Sequence, residues 1–100
     1  MSLRPGSEAA HVRARVLIAG RVQGVGFRFA ARQVAQQQRL SGWVRNRSDG
    51  SVEAVVQGES SGVQAFVDWC RRGPRGAVVT DVQVTWEPAQ EELQGFRIVE

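Results

Sequence analysis

The chain has 100 residues, of which 42% are hydrophobic and 23% are charged, a size and composition typical of one globular domain rather than two domains or a disordered chain. Cys70 is the only cysteine, which excludes an intrachain disulfide and a thiolate metal cluster and favours a reducing, cytoplasmic location. No run approaches the roughly 20 apolar residues of a membrane span, so no membrane association is predicted. Residues 1–10 lack the apolar centre of a secretion signal and are interpreted as a flexible tail before a single domain at residues 11–100.

The positive charge is concentrated in the first half of the chain. All 13 basic residues are arginine, and the formal net charge is +3. Residues 9–48 hold eight arginines and no acidic residue, whereas the rest of the chain holds five arginines and ten acidic residues. This separation predicts that the first half binds an anion.

The first half of the chain predicts a strand, a glycine-containing loop and a helix. The alternating apolar residues of the strand are Val12, Ala14, Val16 and Ile18, and the strand is expected to end at Gly20. After the loop at residues 21–26, apolar residues recur at helical spacing: Phe27, Ala30, Ala31, Val34 and Ala35. The spacing predicts a helix from about Phe27 to about Arg39.

The second half predicts a hairpin, a second helix and two further strands. Residues 42–47 and 52–57 read as strands joined by a turn at Ser48-Asp49-Gly50. Ser61 and Gln64 fit a capping box at the start of a helix that ends before Gly73. The apolar stripe of that helix consists of Val63, Phe66, Val67 and Cys70. A long strand over residues 78–86 and a short one at residues 96–98 complete the predicted elements.

This order of elements predicts an α+β fold, the ferredoxin-like split βαββαβ sandwich, with an antiparallel sheet and both helices on one face. A right-handed crossover through the first helix makes the first two strands parallel, with the third strand between them. Their carboxyl ends therefore meet at one edge of the sheet. We expect the loop at residues 21–26, the start of the first helix and Asn46 to converge there.

The loop before the first helix has the features of an oxyanion site. Gly24 and Gly26 allow the backbone to turn several amides toward one point, and the start of a helix adds further free amides and partial positive charge. Arg28 lies in the first helical turn, where a cation is unfavourable unless an anion binds beside it. The alternative interpretation of Arg28 is a solvated surface arginine. The loop is neither a Walker A site nor a dinucleotide fingerprint, because it lacks the required lysine and glycine spacing.

Two segments of the chain resemble the two signature segments of the acylphosphatases. They read GRVQGVGFR over residues 20–28 and GWVRNRSDGSVE over residues 42–53, and they are followed by Gly58. The resemblance implies a βαββαβ fold and hydrolysis of acyl phosphates to a carboxylate and inorganic phosphate. It implies that Arg28 and the loop amides bind the phosphoryl group and that Asn46 positions the attacking water. The implied phosphate-binding loop consists of Gln23, Gly24, Val25, Gly26, Phe27 and Arg28.

The residues near this loop favour hydrolysis without a general base or a metal ion. Residues 9–48 contain no carboxylate, and His11 is expected at the opposite end of the first strand. The amide of Asn46 takes no proton at neutral pH, but it can hold a water by hydrogen bonds. No cluster of metal-ligating residues stands out, so no metal and no cofactor are predicted. Without the resemblance, Asn46 is more readily interpreted as a residue that forms the hairpin turn than as a catalytic residue.

Two other functions are compatible with parts of the sequence. A small basic ferredoxin-like domain is a nucleic-acid binding module in many proteins, but the first and third strands carry no aromatic residue on which bases could stack. A third interpretation is the acylphosphatase-like domain of a larger carbamoyl-transfer maturation factor. The absence of a linker and of zinc-type cysteines in the sequence argues against this interpretation. The favoured prediction is a monomer that acts on a small-molecule acyl phosphate, with no nucleic-acid partner.

Overall fold

The computed structural model describes residues 11–91 and 95–100, so the predicted tail at residues 1–10 lies outside the described residues. Seven elements follow one another in the predicted order. They are β1 (His11–Arg21), α1 (Phe27–Gln37), β2 (Ser41–Asn46), β3 (Val52–Glu59), α2 (Ser60–Cys70), β4 (Val78–Glu87) and β5 (Phe96–Ile98). The predicted bounds agree with these to within about two residues, the usual uncertainty of element ends.

The five strands form one sheet in the order β4-β1-β3-β2-β5. The strands β1 and β2 both pair with β3 in antiparallel fashion, so they run parallel to each other as predicted. The prediction of an antiparallel sheet is wrong at one edge, where the short strand β5 pairs with β2 in parallel and makes the five-stranded sheet mixed. β4 runs antiparallel to β1 and therefore also antiparallel to β2. Because the chain reverses its direction between β4 and β5, β5 runs in the same direction as β2. The ferredoxin-like α+β fold class is confirmed.

Both helices cover the same face of the sheet and bury one hydrophobic core with it. The core residues of the central strands β1 and β3 are Ala14, Val16, Ile18, Val52, Ala54 and Val56. Every second residue of these strands points to this face because successive side chains of a strand alternate. The helices contribute their predicted stripes, including Phe27, Ala31, Val63, Phe66 and Cys70. The core therefore fixes the start of α1, through Phe27, against the sheet.

The start of α2 differs from the predicted capping box. The helix begins at Ser60, its N-cap is Glu59, and no side chain makes a cap hydrogen bond there. Ser61 is consequently already inside the first turn, and the Nε2 atom of Gln64 donates instead to Oδ1 of Asp68 at 3.1 Å. No helix among the described residues combines the length and hydropathy needed to cross a bilayer.

The sheet face away from the helices carries a ladder of alternating charges, which we call the outer ladder: Arg13, Arg15, Arg45, Glu53 and Glu87. Glu87 on β4 accepts from Nε of Arg13 at 3.1 Å and from Nε of Arg15 at 3.2 Å. Glu53 on β3 accepts from Arg15 and, at 2.8 Å, from Nη2 of Arg45. The four ion pairs found within residues 11–91 and 95–100 all belong to this ladder.

Candidate active site

The loop between β1 and α1 has the backbone conformation that its two glycines permit. Gly24 has φ 78° and Gly26 has φ 79°, a left-handed region in which other residues are strained by about 1–2 kcal/mol. A Cβ atom at either position would have no atom within 4 Å. The glycines are therefore required by backbone conformation and not by lack of space.

Gly26 is also the N-cap of α1, which leaves the start of this helix open to an anion. No side chain makes a cap hydrogen bond there, and the first turn contains no acidic residue. The first amides of a helix have no partner within the helix and carry partial positive charge. The loop thus ends at the open, positive start of α1.

Two anchors fix the loop relative to the rest of the fold. The Nε2 atom of Gln23 donates to the carbonyl oxygens of Arg47 at 2.8 Å and Ser51 at 3.0 Å, which flank the β2–β3 turn. Phe27 is 2% exposed, and its ring centroid lies 5.1 Å from that of Trp69 on α2. The loop is therefore held between the hairpin and the second helix.

A pocket of about 110 Å³ opens where the loop, the start of α1 and the end of β2 meet. Its lining residues are Val22, Gln23, Gly24, Gly26, Phe27, Arg28, Phe29 and Asn46. This volume is space for a small anion and a water. The sheet topology thus brings Arg28 and Asn46, which are 18 positions apart in the sequence, to one pocket.

The structure brings together all but one of the site residues predicted from the sequence. Val25 is the exception: its side chain packs partly buried against the hydrophobic core and does not line the pocket. Gln23 lines the pocket, but both hydrogens of its side-chain amide are used by the turn carbonyls, so its side chain has no N–H left to donate to an anion. Phe29 lines the pocket although sequence analysis assigned it no role. Its position beside Arg28 in the first turn is the signal that could have identified it.

Arg28 and Asn46 both present side chains without an internal partner. Each is partly buried, and neither side chain makes a hydrogen bond or ion pair with any other described residue. A partly buried guanidinium at the positive end of a helix lacks electrostatic compensation, which an anion in the pocket would supply. The pocket lining contains no carboxylate, and among the described residues no three His, Cys, Asp or Glu side chains are grouped to hold a metal ion.

Comparison with known proteins identifies the family. The acylphosphatase family model matches residues 14–98. An acylphosphatase of Roseiflexus sp. (strain RS-1) is 54% identical over 87 residues, which are 87% of this chain and 94% of the relative. An acylphosphatase of Gloeobacter violaceus is 53% identical over 91 residues, which are 91% of this chain and 97% of the relative.

Solved structures give the same result for the fold. The acylphosphatase from Bacillus subtilis is 39% identical and superposes with a TM-score of 0.86 over 89% of this chain and 99% of its own. Full-length HypF, in a phosphate- and nucleotide-bound form, is 29% identical with a TM-score of 0.78 over 90% of this chain, but only 12% of the HypF chain is matched. The family model, the sequence identities and the fold agree that this chain belongs to the acylphosphatase family of enzymes.

Proposed function

We propose that this chain hydrolyses acyl phosphates without a metal ion, that the Gln23–Arg28 loop binds the phosphoryl group, and that Asn46 orients the attacking water. The observation that carries the proposal is the pairing, in one pocket, of an uncompensated guanidinium with an unpartnered carboxamide. A charged group and a neutral polar group without internal partners form a ligand set suited to a tetrahedral anion and its nucleophile. Membership in the acylphosphatase family supports the same substrate class.

Arg28 and the loop amides stabilise the charge on the transferred phosphoryl group. The guanidinium offers a planar pair of N–H donors to two phosphoryl oxygens, and amides of the loop and of the helix start donate to the others. In a phosphoryl transfer the equatorial oxygens carry the developing negative charge, so donors fixed around them lower the barrier. Because the loop is already anchored through Gln23 and Phe27, little reorganisation is needed when the substrate binds.

Asn46 holds the water opposite the leaving carboxylate. Its side-chain oxygen accepts a hydrogen bond from the water and directs a lone pair toward phosphorus, and as the P–O bond to water forms, the P–O bond to the acyl group breaks. The proton of the water passes to a phosphoryl oxygen, and the product is inorganic phosphate. The leaving carboxylate departs as an anion because its conjugate acid has a pKa of about 4. Neither a general base nor a general acid from the protein is required.

The remaining parts of the proposal concern the state of the protein in the cell. We infer that residues 11–100 act as one domain in a cytoplasmic monomer. The single hydrophobic core supports one domain. Burial raises the pKa of the Cys70 thiol, which keeps the thiol protonated and unreactive. Light scattering after gel filtration of the full chain would give a mass near 11.0 kDa for a monomer.

The alternative function, binding of nucleic acid, has less support than acyl phosphate hydrolysis. Ferredoxin-like domains that bind RNA use the sheet face away from the helices, which in this chain carries the outer ladder. On this face Arg13, Arg15 and Arg45 each have a carboxylate partner, so their charges are not available to phosphates without breaking ion pairs. A titration of single-stranded RNA at rising salt concentration tests this alternative. Tight binding at physiological salt, with a steep salt dependence, would favour it.

The proposed function is tested by hydrolysis of benzoyl phosphate by the full chain in the presence of EDTA and ¹⁸O-labelled water. We expect full activity in EDTA and the label in inorganic phosphate, because the water attacks phosphorus. The Asn46→Ala variant is expected to lose roughly 100-fold in kcat, the cost of a misplaced nucleophile. Inorganic phosphate should still inhibit that variant with nearly the native Ki.

Ser48→Ala, a change of an exposed residue in the neighbouring turn, is the matched control and should retain native kcat. Activity that EDTA abolishes, label in the carboxylate, or native kcat in Asn46→Ala would each contradict the corresponding part of the mechanism.

A further inference from the structure

Phe29 is an aromatic side chain that is exposed at the rim of the proposed phosphate pocket. It is 61% exposed, the largest value among the three exposed large hydrophobic residues in the described part of the chain. The other two, Val78 and Trp86, lie on β4 and do not line this pocket. An exposed aromatic residue is common by itself, but one beside a ligand pocket offers a contact surface for the ligand.

The ring of Phe29 is held in place by a neighbouring arginine. The Cζ atom of Arg32, one helical turn farther along α1, lies 5.5 Å from the centroid of the ring. This cation–π contact places the guanidinium over one face of the ring. The exposed area of Phe29 therefore falls on the other face and the edge of the ring, which stay open to a ligand.

Phe29 supplies the accessible apolar surface of the pocket lining. Two other apolar side chains line the pocket, but Val22 is 1% exposed and Phe27 is 2% exposed, so they offer almost no area to a ligand. When the phosphoryl group occupies the loop, the substituent of the acyl group must extend out of a pocket whose volume is only about 110 Å³. An acyl group that leaves along the start of α1 would meet the ring of Phe29.

We propose that Phe29 forms the acyl-binding surface of the site and that it favours acyl phosphates whose acyl group is planar and apolar over those with a small aliphatic group. The proposal rests on the proposed function, because it needs the phosphoryl group in the Gln23–Arg28 loop. A planar group on the open face of Phe29 gains offset-stacking contact, which a methyl group cannot match. The cation–π contact with Arg32 favours this position of the ring before the substrate arrives.

The test compares benzoyl phosphate with acetyl phosphate in the Phe29→Ala variant of the full chain. We expect kcat/KM for benzoyl phosphate to fall roughly three- to tenfold more than kcat/KM for acetyl phosphate, the range of one aromatic stacking contact. Phe29→Trp keeps an aromatic surface and should retain the native ratio of the two values within about twofold. The Ki of inorganic phosphate should change little, because Phe29 contributes no donor to the anion.

Trp86→Ala is the matched control, since it also removes an exposed aromatic residue. Trp86 pairs with Ala14 near the start of β1, roughly 23 Å along that strand from the loop at about 3.3 Å per residue. The Trp86→Ala variant should keep the native ratio of kcat/KM for benzoyl phosphate to kcat/KM for acetyl phosphate. The same native ratio in Phe29→Ala, with both values unchanged or equally reduced, would overturn the role of Phe29. A native chain that hydrolyses neither compound would instead overturn the proposed function.

Discussion

Two regions of this protein differ in how their arginines are compensated electrostatically. In the outer ladder, Arg13 and Arg15 donate to Glu87, and Glu53 joins Arg15 to Arg45. In the pocket, Arg28 has no hydrogen bond or ion pair with any described residue, although it is partly buried at the positive end of α1. The same side chain is thus fully compensated in one region and uncompensated in the other.

This difference indicates what each region contributes. A compensated guanidinium stabilises the folded chain and has no capacity left for a ligand. An uncompensated one at a helix start slightly destabilises the fold and gains that energy back when an anion binds. Mutations in the ladder should therefore alter stability with little effect on activity, and mutations in the pocket should do the reverse.

The largest expected effect is that of Arg28→Gln. We expect kcat/KM for benzoyl phosphate to fall about 100- to 1,000-fold, as in other sites that lose one donor to the transition-state charge. The free energy of unfolding should rise by about 0.3–1 kcal/mol, because a cation is removed from the positive end of α1. Kinetics and urea denaturation of the same preparation measure both values. A stability loss without an activity loss would contradict the distinction between the two regions.

The next effect concerns the ladder, through Glu53→Gln. Glu53 is 5% exposed. The substitution replaces its carboxylate with a neutral amide, so Arg15 and Arg45 lose the negative charge that they share. The free energy of unfolding should fall by about 1–3 kcal/mol, the usual cost of a charged hydrogen bond lost at a buried position. Urea denaturation measures this change, and kcat/KM of the folded variant should stay within about twofold of native. A large drop in kcat/KM at native stability would show that the ladder belongs to the active site.

A smaller effect, on phosphate binding, is expected when the anchor of the loop to the β2–β3 turn is removed. Gln23→Leu removes both hydrogen bonds to the β2–β3 turn but keeps a side chain of similar size. The loop amides should become less well aligned, and we expect the Ki of inorganic phosphate to rise roughly tenfold, which corresponds to the loss of one net hydrogen bond. Inhibition kinetics with benzoyl phosphate as substrate give this Ki. A native Ki would mean that the turn does not position the loop.

The smallest effect is a dependence of stability on pH that comes from the ladder. Burial alone would raise the pKa of Glu53, but hydrogen bonds from Arg45 and Arg15 outweigh it and the pKa is lowered. A hydrogen bond from Arg15, followed by that from Arg13, lowers the pKa of Glu87. Because both folded-state values lie below the unfolded value of about 4.3, their contribution is complete above that pH and is lost as the pH falls through the folded-state values.

Tm measured from pH 7 downward should therefore decline below about pH 4.5, and the decline should be shallower in Glu53→Gln, which has no carboxylate at that position. Equal slopes in the native chain and the variant would contradict this contribution of Glu53.

The sequence predicts β1 and α2 well because the alternation in β1 and the apolar stripe of α2 each mark the face that packs against the hydrophobic core. The convergence of the loop with Asn46 was also predictable, since it follows from the handedness of one crossover. The pairing of arginines was not, because eight arginines in residues 9–48 look alike in the sequence, and their carboxylate partners come from β3 and β4. The anchoring role of Gln23 depends on backbone carbonyls of a distant turn, which leave no sequence signal.

The most direct test of the account is a crystal structure of the full chain with inorganic phosphate. We predict one phosphate in the pocket, with its oxygens bound by amides of the Gln23–Arg28 loop and by the guanidinium of Arg28, and the carboxamide of Asn46 holding a water against it. A phosphate bound instead among the arginines of the outer ladder, or a pocket empty at saturating phosphate, would contradict the central claim that the uncompensated arginine marks the site.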